Sequence, residues 1–595
     1  MAPGWARQAA RRSCCQTPPL VAPLDLGYRD AMAGNASGAR TIVFLAANAS
    51  YSHSSLAAAC LRMACADLPW RWETIEVTTA EQPDAVLQRI VAHRPAIVAA
   101  ALYLFNREFV LSVLRQLPDS LPSCVRVVGG PECLGDNRDL LLEKRMAEAA
   151  IRGEGESALR QLLNAFDTPG AWAAIPGFCG AIDGAYVDRG RAEEPAPLDA
   201  LRSPYGVCYP VPGKPFTLLE TSRGCANECT FCTSALASGT RCFSVERVRQ
   251  DVAAIRAQGV REVRLVDRTF NADPTRCVAL LRMFREEFAD LRFHLEIDPA
   301  LLVRPILAQL DRAPAGQLHL EVGVQSLDAS VYRNIRRKAG VRRTLEGLKA
   351  LCARSQLGVH ADLMAGLPGQ TIESLLRDIA VLVALRPQEI QLEVLKVLPG
   401  TALARDRERW GLRAAAAPPY NVQATPDMRT EDLALAAGCS RVLDIYYNVP
   451  ALRGPLLDAA AALPGFWREF AECVQSRRTS STGLSLETRV RLLHTYTAER
   501  VPAVAQRLCY LWLRLGFSAR KGLCPVTRWR GPLPEDAACI DGERPARVSR
   551  QYRAELDRPY WFVYGLSPSG KGRAIAVFAS RTPAAAARPP GAPHA

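Results

Sequence analysis

The chain has 595 residues, of which 49% are hydrophobic, and it carries a formal net charge of +14. At roughly 100–200 residues per domain this length predicts three to four domains, and the hydrophobic share excludes a natively disordered chain. The positive charge is scattered and accompanies no zinc-finger, RNA-recognition or helix-turn-helix signature, so we do not expect nucleic acid as a partner.

The number of cysteines and the hydropathy of the chain indicate the cellular compartment that we expect for the protein. The 19 cysteines are odd in number and unevenly spaced, which excludes a small disulfide-built fold and favours a reducing, cytoplasmic location. The most apolar run, Pro95 to Phe105, is shorter than the ~18 residues that a spanning helix needs, so we expect no membrane segment. Arginines near the start are not followed by an apolar stretch, so we expect no secretory signal.

The first part of the chain predicts an α/β fold. Residues 1–39 are rich in Ala, Pro, Arg and Gly and are predicted to be a disordered extension. Over residues 40–166, continuous apolar strands alternate with helices, which predicts a doubly wound, Rossmann- or flavodoxin-like sheet that binds ligands at the carboxyl ends of its strands. The predicted strands are 41–46, 97–103, 125–128 and 149–152, and the predicted helices are 54–66, 107–117 and 157–166.

A second alternating series follows a Pro/Gly-rich segment, residues 167–215, that is predicted to be a linker. Six βα units over residues 216–400 predict a partial (β/α)6 barrel, shorter than the complete eight-unit form. Residues 401–570 predict a mainly helical domain with one strand at 560–566, and residues 571–595 predict a disordered tail. The predicted barrel strands are 216–221, 262–267, 292–297, 318–326, 359–367 and 389–396.

Three cysteines share one predicted loop, in the segment Cys225-Ala-Asn-Glu-Cys229-Thr-Phe-Cys232 that follows the first barrel strand. Thiolates are soft ligands that suit iron–sulfur clusters or zinc. Three thiolates at this spacing can hold three irons of a 4Fe-4S cubane and leave the fourth iron open to an amine and a carboxylate. A zinc site would need a fourth ligand, for which Cys208 and Cys242 are candidates without finger-like spacing. Three unrelated core cysteines are the remaining alternative.

This CxxxCxxC loop at the end of a barrel strand resembles that of the radical S-adenosylmethionine (SAM) superfamily. The resemblance implies that Cys225, Cys229 and Cys232 hold a 4Fe-4S cluster that binds the methionine end of SAM. It also implies SAM contacts at the aromatic position within the motif and at polar or glycine positions that end later strands. These positions are Phe231, Asp267, Asn271, Glu296, Gln325, Gly366 and Gly369. The strand-end positions also fit ordinary caps and turns.

Residues 40–166 resemble the cobalamin-binding domain fused to many radical SAM enzymes, through the strand–helix alternation and the segments VVGGPE (127–132) and GEGE (153–156). The resemblance implies that cobalamin lies against Gly129, Gly130, Tyr103 and Asn106. The DxHxxG motif of methionine-synthase-type domains is absent, because the matching loop has His53 without the Asp and Gly. We therefore expect His53 to be a hydrogen-bonding side chain rather than a cobalt ligand. A flavodoxin-like spacer without a ligand is the alternative.

The combined resemblance covers roughly residues 40–400 and implies an enzyme that cleaves SAM reductively to a 5′-deoxyadenosyl radical. C-methylation of an unactivated carbon is the first interpretation, and cobalamin-dependent cyclisation or rearrangement is the second. A non-enzymatic iron–sulfur or cobalamin sensor is a third. A methylthiotransferase is disfavoured, because the N-terminal half lacks that family's additional cysteines and no small RNA-binding barrel is evident after the core. The expected partners are a small-molecule or natural-product substrate and an electron donor such as flavodoxin or ferredoxin.

Overall fold

The computed structural model describes residues 40–476, 483–568 and 573–580, and the extension predicted at 1–39 lies outside them. The chain divides into two compact units. Among the described residues, the first comprises 40–371 together with 394–429, and the second comprises 372–393 together with those from 430 to 580. Among the described helices, none combines the length and apolar character that a bilayer span requires. Every cysteine in the described ranges is a free thiol.

The first unit begins with a seven-stranded sheet. Its strands are β1 (Arg40–Asn48), β2 (Trp70–Thr78), β3 (Ile97–Ala101), β4 (Val125–Gly129), β5 (Ala149–Ile151), β6 (Phe178–Ile182) and β7 (Ala185–Asp188). Helices α1 (Leu56–Ala64), α2 (Pro83–Ala92) and α3 (Arg107–Ser120) follow β1, β2 and β3, and α4 (Gly155–Asn164) follows β5. The spatial order is β2-β1-β3-β4-β5-β6-β7, with β1 to β5 parallel and the last two antiparallel. The predicted doubly wound sheet is confirmed.

Strand β1 shows why its sequence is a continuous apolar run. Val43 and Leu45 pack in a core shared with α2 and α3, whereas Ile42 and Phe44 pack in a second core shared with α1 and α4. A strand that is covered by helices on both faces needs apolar side chains at every position.

Two features of this sheet escaped prediction. Strand β2 has the half-polar sequence WRWETIEVT. It lies at the edge of the sheet, where it pairs with β1 only. The prediction that residues 167–215 form only a linker is wrong, since they supply β6 and β7. Asp183 and Gly184, both at positive φ, form the tight turn between these two strands. An Asp-Gly pair between short apolar runs is a hairpin signal.

The first unit continues with a second, parallel sheet. Its strands are β8 (Thr217–Leu219), β11 (Glu262–Leu265), β12 (Arg292–Ile297), β13 (Leu318–Gln325) and β14 (Gly358–Ala365), in the order β14-β13-β12-β11-β8. A short antiparallel pair, β9 (Ser222–Arg223) and β10 (Arg241–Cys242), follows β8. The helices are α5 (Val245–Ala257), α6 (Pro274–Glu287), α7 (Arg304–Asp311), α8 (Ala329–Asn334) and α9 (Val341–Cys352).

The sixth predicted βα unit, α10 (Ile372–Leu385) with β15 (Glu389–Val394), is assigned almost entirely to the second unit. The chain then returns to the first unit with α11 (Ala402–Arg405), β16 (Arg413–Ala414) and β17 (Val422–Ala424).

The two faces of the parallel sheet differ in chemistry. Along β13, Leu318, Leu320, Val322 and Val324 are buried, while the residues between them are half-exposed. Strands β11 and β12 alternate in the same way, with the apolar positions on the buried face. Successive side chains of a strand point to opposite faces, so one face is apolar and the other is polar and accessible.

The second unit is helical at first, as predicted, with α12 (Thr430–Val442), α13 (Pro450–Ala462), α14 (Phe466–Ser476), α15 (Leu486–Thr497) and α16 (Pro502–Arg514). A five-stranded antiparallel sheet follows, in the order β18-β20-β21-β22-β19. Its strands are β18 (Val526–Trp529), β19 (Ala537–Gly542), β20 (Arg547–Glu555), β21 (Pro559–Leu566) and β22 (Arg573–Ser580).

Only β21 was predicted in this sheet. The prediction of a disordered tail from 571 is wrong for 573–580, because the apolar residues of β22 pair with β21. The rest of that tail lies outside the described residues.

Candidate functional site

The three cysteines of the motif line one open cavity of about 820 Å³ in the first unit. They follow β9 and precede a short 3-10 turn at Thr233–Leu236. Gly224, at φ 82°, makes the turn into the motif, where a side chain would collide with the carbonyl of Gly239. The motif loop is thus held in one conformation at the end of the first barrel strand.

Neighbouring groups supply hydrogen bonds and positive charge to these thiols. The backbone N–H of Asn227 donates to Cys225 Sγ at 3.4 Å, and Thr269 Oγ1 lies 3.3 Å from the same sulfur. Burial raises the pKa of Cys229 to about 11, and the buried guanidinium of Arg337 acts in the opposite direction. Hydrogen bonds and charge near the sulfurs tune iron–sulfur clusters.

Asp267 has a different role from the predicted contact with SAM. Its carboxylate is 1% exposed and accepts hydrogen bonds from the backbone N–H and hydroxyl groups of both Thr221 and Ser222, at 2.5–3.1 Å. Burial raises the pKa of Asp267, and these hydrogen bonds counteract that effect. Because both oxygens are already engaged, Asp267 is a positioning residue that fixes the strand end leading into the cysteine motif.

Asn271 also departs from its predicted contact with SAM. Its fully buried amide donates to the carbonyl of Asp298 at 2.8 Å and accepts from the N–H of Asp298 at 2.9 Å. Asp298 in turn accepts from the amide of Asn227, within the cysteine motif, at 3.2 Å. Asn271 therefore supports the loop from behind, with its amide nitrogen and oxygen both hydrogen-bonded to the backbone of Asp298.

The remaining strand-end residues lie where a ligand of the barrel would bind. Glu296 ends β12 with 29% of its side chain exposed, and Arg268 lies 3.3 Å from it. Gln325 ends β13 at φ 66°. Gly366 and Gly369, both at positive φ, form the turn after β14. Their contacts with SAM, and that of the half-exposed Phe231, stay predictions.

The turn after β14 is held by a side chain that sequence reasoning did not single out. The fully buried Gln370 accepts from the N–H of Gly366 at 2.9 Å and donates to the carbonyl of Met364 at 2.9 Å. A Cβ on Gly369 would lie 2.6 Å from Asn334 Nδ2, so this position is closely packed as well as left-handed. The glycines thus meet local backbone requirements of the turn.

A buried ionic cluster joins the motif to the N-terminal sheet. Arg223, two residues before the first cysteine, has an 11% exposed side chain and binds Glu154 and Glu156 at 2.7 Å and Glu220 at 3.0 Å. Arg241, its pairing partner across β9 and β10, also binds Glu154. The GEGE segment thus contacts the two arginines of the strand pair that flanks the cysteine motif.

A second connection runs through the segment that follows β15. Gly400 packs so closely on Leu134, after β4, that a Cβ would lie 2.6 Å from its carbonyl oxygen. Leu403 N–H donates to the carbonyl of Thr230, inside the cysteine motif, at 2.8 Å. Tyr420 Oη donates to Glu132 of the VVGGPE segment at 2.6 Å. These contacts position the carboxyl end of β4 relative to the cysteine loop.

The glycine pair at the end of β4 serves the protein backbone. Gly130 adopts φ 89°, and a Cβ there would lie 2.8 Å from the carbonyl oxygen and 3.1 Å from the nitrogen of Leu102. Leu102 N–H donates to the carbonyl of Gly129 at 2.8 Å. The close approach expected of Gly130 is therefore made to Leu102, and its predicted contact with cobalamin is not the reason for the glycine.

We expect Gly130→Ala to destabilise the protein by about 2–4 kcal/mol, because it combines a left-handed backbone with a collision against Leu102. Gly129→Ala is the matched control, since its Cβ would meet Ile151 at an ordinary 3.5 Å, and its cost should stay below about 1 kcal/mol. Urea unfolding followed by circular dichroism measures both. Equal stabilities would show that the close packing around Gly130 is not required.

Aromatic side chains lie at the carboxyl edge of β3, where ligands of doubly wound sheets bind. Tyr103 stacks on Phe105 at 5.6 Å between ring centroids, and Phe105 is 51% exposed. Asn106, predicted to lie under the corrin, is instead 2% exposed and donates to the carbonyls of Ala47 and Ala101. Its oxygen accepts from the Tyr103 N–H at 2.7 Å, so Asn106 positions the aromatic pair.

His53 has the hydrogen-bonding environment that the sequence predicts. Its Nδ1 lies 2.9 Å from the hydroxyl of Ser50, and its ring packs edge-on against Phe216 at 5.0 Å. Burial lowers its pKa, as do the charges of Arg264 and Lys214. The neutral imidazole is thus part of the packing between the first domain and the start of the barrel.

Several residues of the site escaped sequence reasoning. Thr269, in the loop after β11, contacts Cys225, and the charge of Arg337, in the loop after α8, acts on Cys229. Arg223 binds carboxylates more than 60 residues away. The position of Arg223 within the SRGC segment, directly before the motif, was a local signal for its importance. Its partners depend on tertiary contacts and had no such signal.

The residues fit the two cofactors that the sequence implies. Three soft thiolate donors share one cavity, and the half-buried Tyr103 and the exposed Phe105 stack at the ligand-binding edge of the first sheet. Within the described ranges, no three His, Cys, Asp or Glu side chains are arranged around a single metal ion. The thiolates of a cubane bind different irons and need not converge on one point.

Comparison with known proteins agrees with this geometry. Residues 42–163 match the B12 binding domain, and residues 219–382 match the Radical SAM superfamily. An uncharacterized methyltransferase of Pyrococcus horikoshii is 25% identical over 293 residues, which cover 47% of this chain and 61% of that protein. The cobalamin-dependent radical SAM methyltransferase TokK of Streptomyces tokunonensis is 24% identical over 360 residues, covering 57% and 52%.

The chain spans about half to three fifths of the length of these two relatives. Among solved structures, the cobalamin-dependent SAM radical enzyme OxsB, with aqua-cobalamin and SAM bound, shares the fold with a TM-score of 0.55 at 12% identity. The match covers 81% of this chain and 76% of OxsB. The chain therefore carries a B12 binding domain ahead of a radical SAM domain, and the cysteine loop lies in the second of these.

Proposed function

We propose that the protein is a methyltransferase that methylates an unactivated carbon of a small-molecule or natural-product substrate. The observation that carries the proposal is the buried cluster around Arg223, which joins the GEGE segment of the cobalamin-binding domain to the cysteine motif. The cofactors, when bound, supply a SAM-derived radical and a transferable methyl group. The TokK and Pyrococcus relatives are both named as methyltransferases, which supports this assignment.

The chain's own residues bind and orient. We propose that Cys225, Cys229 and Cys232 hold the cluster and that Phe231, Glu296, Gln325 and the turn at Gly366 contact SAM. Tyr103 and Phe105 would contact cobalamin at the edge of β3. As domain boundaries we propose 40–188 for cobalamin binding, which adds β6 and β7 to the predicted 40–166, and 216–400 for the radical SAM core.

We also propose that a reduced flavodoxin or ferredoxin donates the electron. The cavity of the cysteine loop has more basic than acidic lining residues: Arg276, Arg336, Lys338 and Arg405 against Glu228 and Asp273. A positive rim attracts an acidic carrier and raises the rate of encounter.

Product analysis of SAM turnover tests the proposed function. The cofactor-loaded chain is incubated anaerobically with SAM, a reductant and a cell extract of the organism that the protein comes from. The nucleoside products are then quantified. Methyl transfer predicts 5′-deoxyadenosine together with S-adenosylhomocysteine. Formation of 5′-deoxyadenosine alone would favour a cyclisation or rearrangement, and the absence of SAM cleavage would favour a sensor; either result would contradict methylation.

A further inference from the structure

Two thiols of the second unit face each other between its last helix and its sheet. Cys509 lies on α16, where it is 4% exposed, and the half-buried Cys524 lies in the segment that enters β18. A side-chain hydrogen bond joins the two thiols. Because hydrogen-bonded thiols lie at short range, a sulfur–sulfur bond can close between them through small side-chain shifts. We call Cys509 and Cys524 the thiol pair.

The segment after α16 holds Cys524 in place. Trp512 Nε1, on α16, donates to the carbonyl of Ser518 at 3.1 Å. Arg491, on the neighbouring α15, donates to the carbonyl of Lys521 at 2.8 Å. The chain leading to Cys524 is therefore tied to both helices, and the thiol pair is part of the packed structure of the unit.

An imidazole lies beside the thiol pair. His494 Nε2, on α15, is 3.6 Å from Cys509 Sγ. Burial lowers the pKa of His494, as does the charge of Arg491, so the ring is neutral and can accept a proton from the thiol. Among the residues that the structure describes, no three His, Cys, Asp or Glu side chains are arranged around one metal ion. The cluster therefore supports dithiol chemistry rather than metal binding.

The two thiols differ in reactivity. The shared hydrogen bond raises the pKa of Cys509 and lowers that of Cys524, and burial acts against the second effect. The thiolate is the attacking form in thiol–disulfide exchange, and the reagent must reach it from solvent. Cys524 is both the more exposed and the more readily ionised thiol, so it reacts first, and Cys509 is placed to close the bond.

We propose that Cys509 and Cys524 are a redox-active dithiol that exchanges with small disulfides of the glutathione type and closes to a disulfide between α16 and the segment entering β18. The Cys524 thiolate attacks the reagent, whose S–S bond breaks; a mixed disulfide forms at Cys524 and one thiolate leaves. Cys509 gives its proton to His494, attacks the Cys524 sulfur and releases the second thiolate. Two protein thiols are oxidised and one reagent disulfide is reduced. Each leaving thiolate takes up one of the two protons that the protein thiols lose.

Peptide mapping of the cofactor-loaded full chain tests this proposal without any turnover. The chain is equilibrated without oxygen in buffers of oxidised and reduced glutathione, quenched with acid, alkylated and digested with trypsin. Trypsin releases the thiol pair on separate peptides, residues 508–514 and 522–528, and we expect these two peptides as one linked species. Cys539, on a third peptide, is the internal control, because its thiol is exposed and contacts the carbonyl of Asp541 at 3.7 Å. It should carry glutathione without a protein partner.

Substitutions test the order of the two steps. Cys509→Ser should leave a lasting mixed disulfide with glutathione on Cys524, whereas Cys524→Ser should leave the buried Cys509 unmodified. His494→Gln should slow the closure of the mixed disulfide by about 10-fold or more. Cys473→Ser, at a half-buried thiol of α14, is the matched control and should change nothing. The peptide map of the unsubstituted chain decides the pairing even if a variant does not fold.

Three results would count against this assignment. Glutathione on Cys539 without any linked peptide, or linkage of Cys524 to other cysteines as often as to Cys509, would overturn the dithiol. Glutathione on Cys509 in Cys524→Ser would overturn the order of attack. Unchanged closure in His494→Gln would overturn the role of the imidazole.

Discussion

Replacing Cys229 by alanine is expected to abolish iron incorporation and to lower SAM cleavage by about 10³-fold or more. Cys229 is the most buried of the three motif cysteines, 7% exposed, and lies between the other two in the loop. A cubane that keeps only two protein thiolates loses the geometry that leaves one iron open for SAM. Iron and sulfide analysis after anaerobic reconstitution, with the charge-transfer absorption of the cluster, measures the loss.

Cys242 supplies the matched control. It lines the same cavity and is exposed, but it lies on β10 outside the motif. Cys242→Ala should retain the iron content and the SAM cleavage of the unsubstituted protein. Loss of metal in Cys242→Ala would instead identify Cys242 as a ligand and favour the zinc alternative with four thiolates.

Arg223→Met is expected to destabilise the first unit by about 3–5 kcal/mol. The substitution leaves Glu154, Glu156 and Glu220 without the charge that they surround, and burial already raises the pKa of Glu220. Removing one partner of a buried ionic cluster lowers the free energy of unfolding strongly, because the remaining charges stay dehydrated and have lost their counter-charge. Urea unfolding of the chain measures the change in the free energy of unfolding.

Arg249→Met is the comparison for Arg223→Met. Arg249 pairs with Glu246 and Glu287 on the surface, where its side chain is 39% exposed, and its loss should cost at most about 1 kcal/mol. If the two variants were equally stable, the cluster around Arg223 would not hold the domains together. Glu156→Gln with Arg223→Met should recover part of the loss, because it removes a buried carboxylate that has lost the charge of Arg223.

Much of the fold follows from local patterns. The run TIVFLA in β1 predicts a strand covered on both faces, and the alternation within LHLEVGVQ predicts β13 with one apolar face. The first sheet and the parallel strands of the core were therefore recognised. Strands β2 and β7 were missed because each is an edge strand with a half-polar pattern that is typical of a loop. Strand β22 has the apolar sequence RAIAVFAS and was missed because it directly precedes the Ala- and Pro-rich end of the chain.

The sequence predicts only those parts of the site whose residues lie close together along the chain. The cysteine spacing identifies the motif because all three ligands lie on one loop. Asp267 and Asn271 were placed correctly at a strand end, but their hydrogen bonds to Thr221, Ser222 and Asp298 depend on loops that other strands bring together. Strand-end position alone cannot distinguish a side chain that contacts a ligand from one that positions a loop.

Cofactor analysis of the intact chain tests the central claim most directly. The protein is purified without oxygen, reconstituted with iron, sulfide and cobalamin, and analysed for metals and by Mössbauer spectroscopy with and without SAM. We predict about four iron and four sulfide per chain with stoichiometric cobalamin, and one iron whose signal changes when SAM is added. Zinc in place of iron, a cluster indifferent to SAM, or a chain that retains no cobalamin would contradict the account.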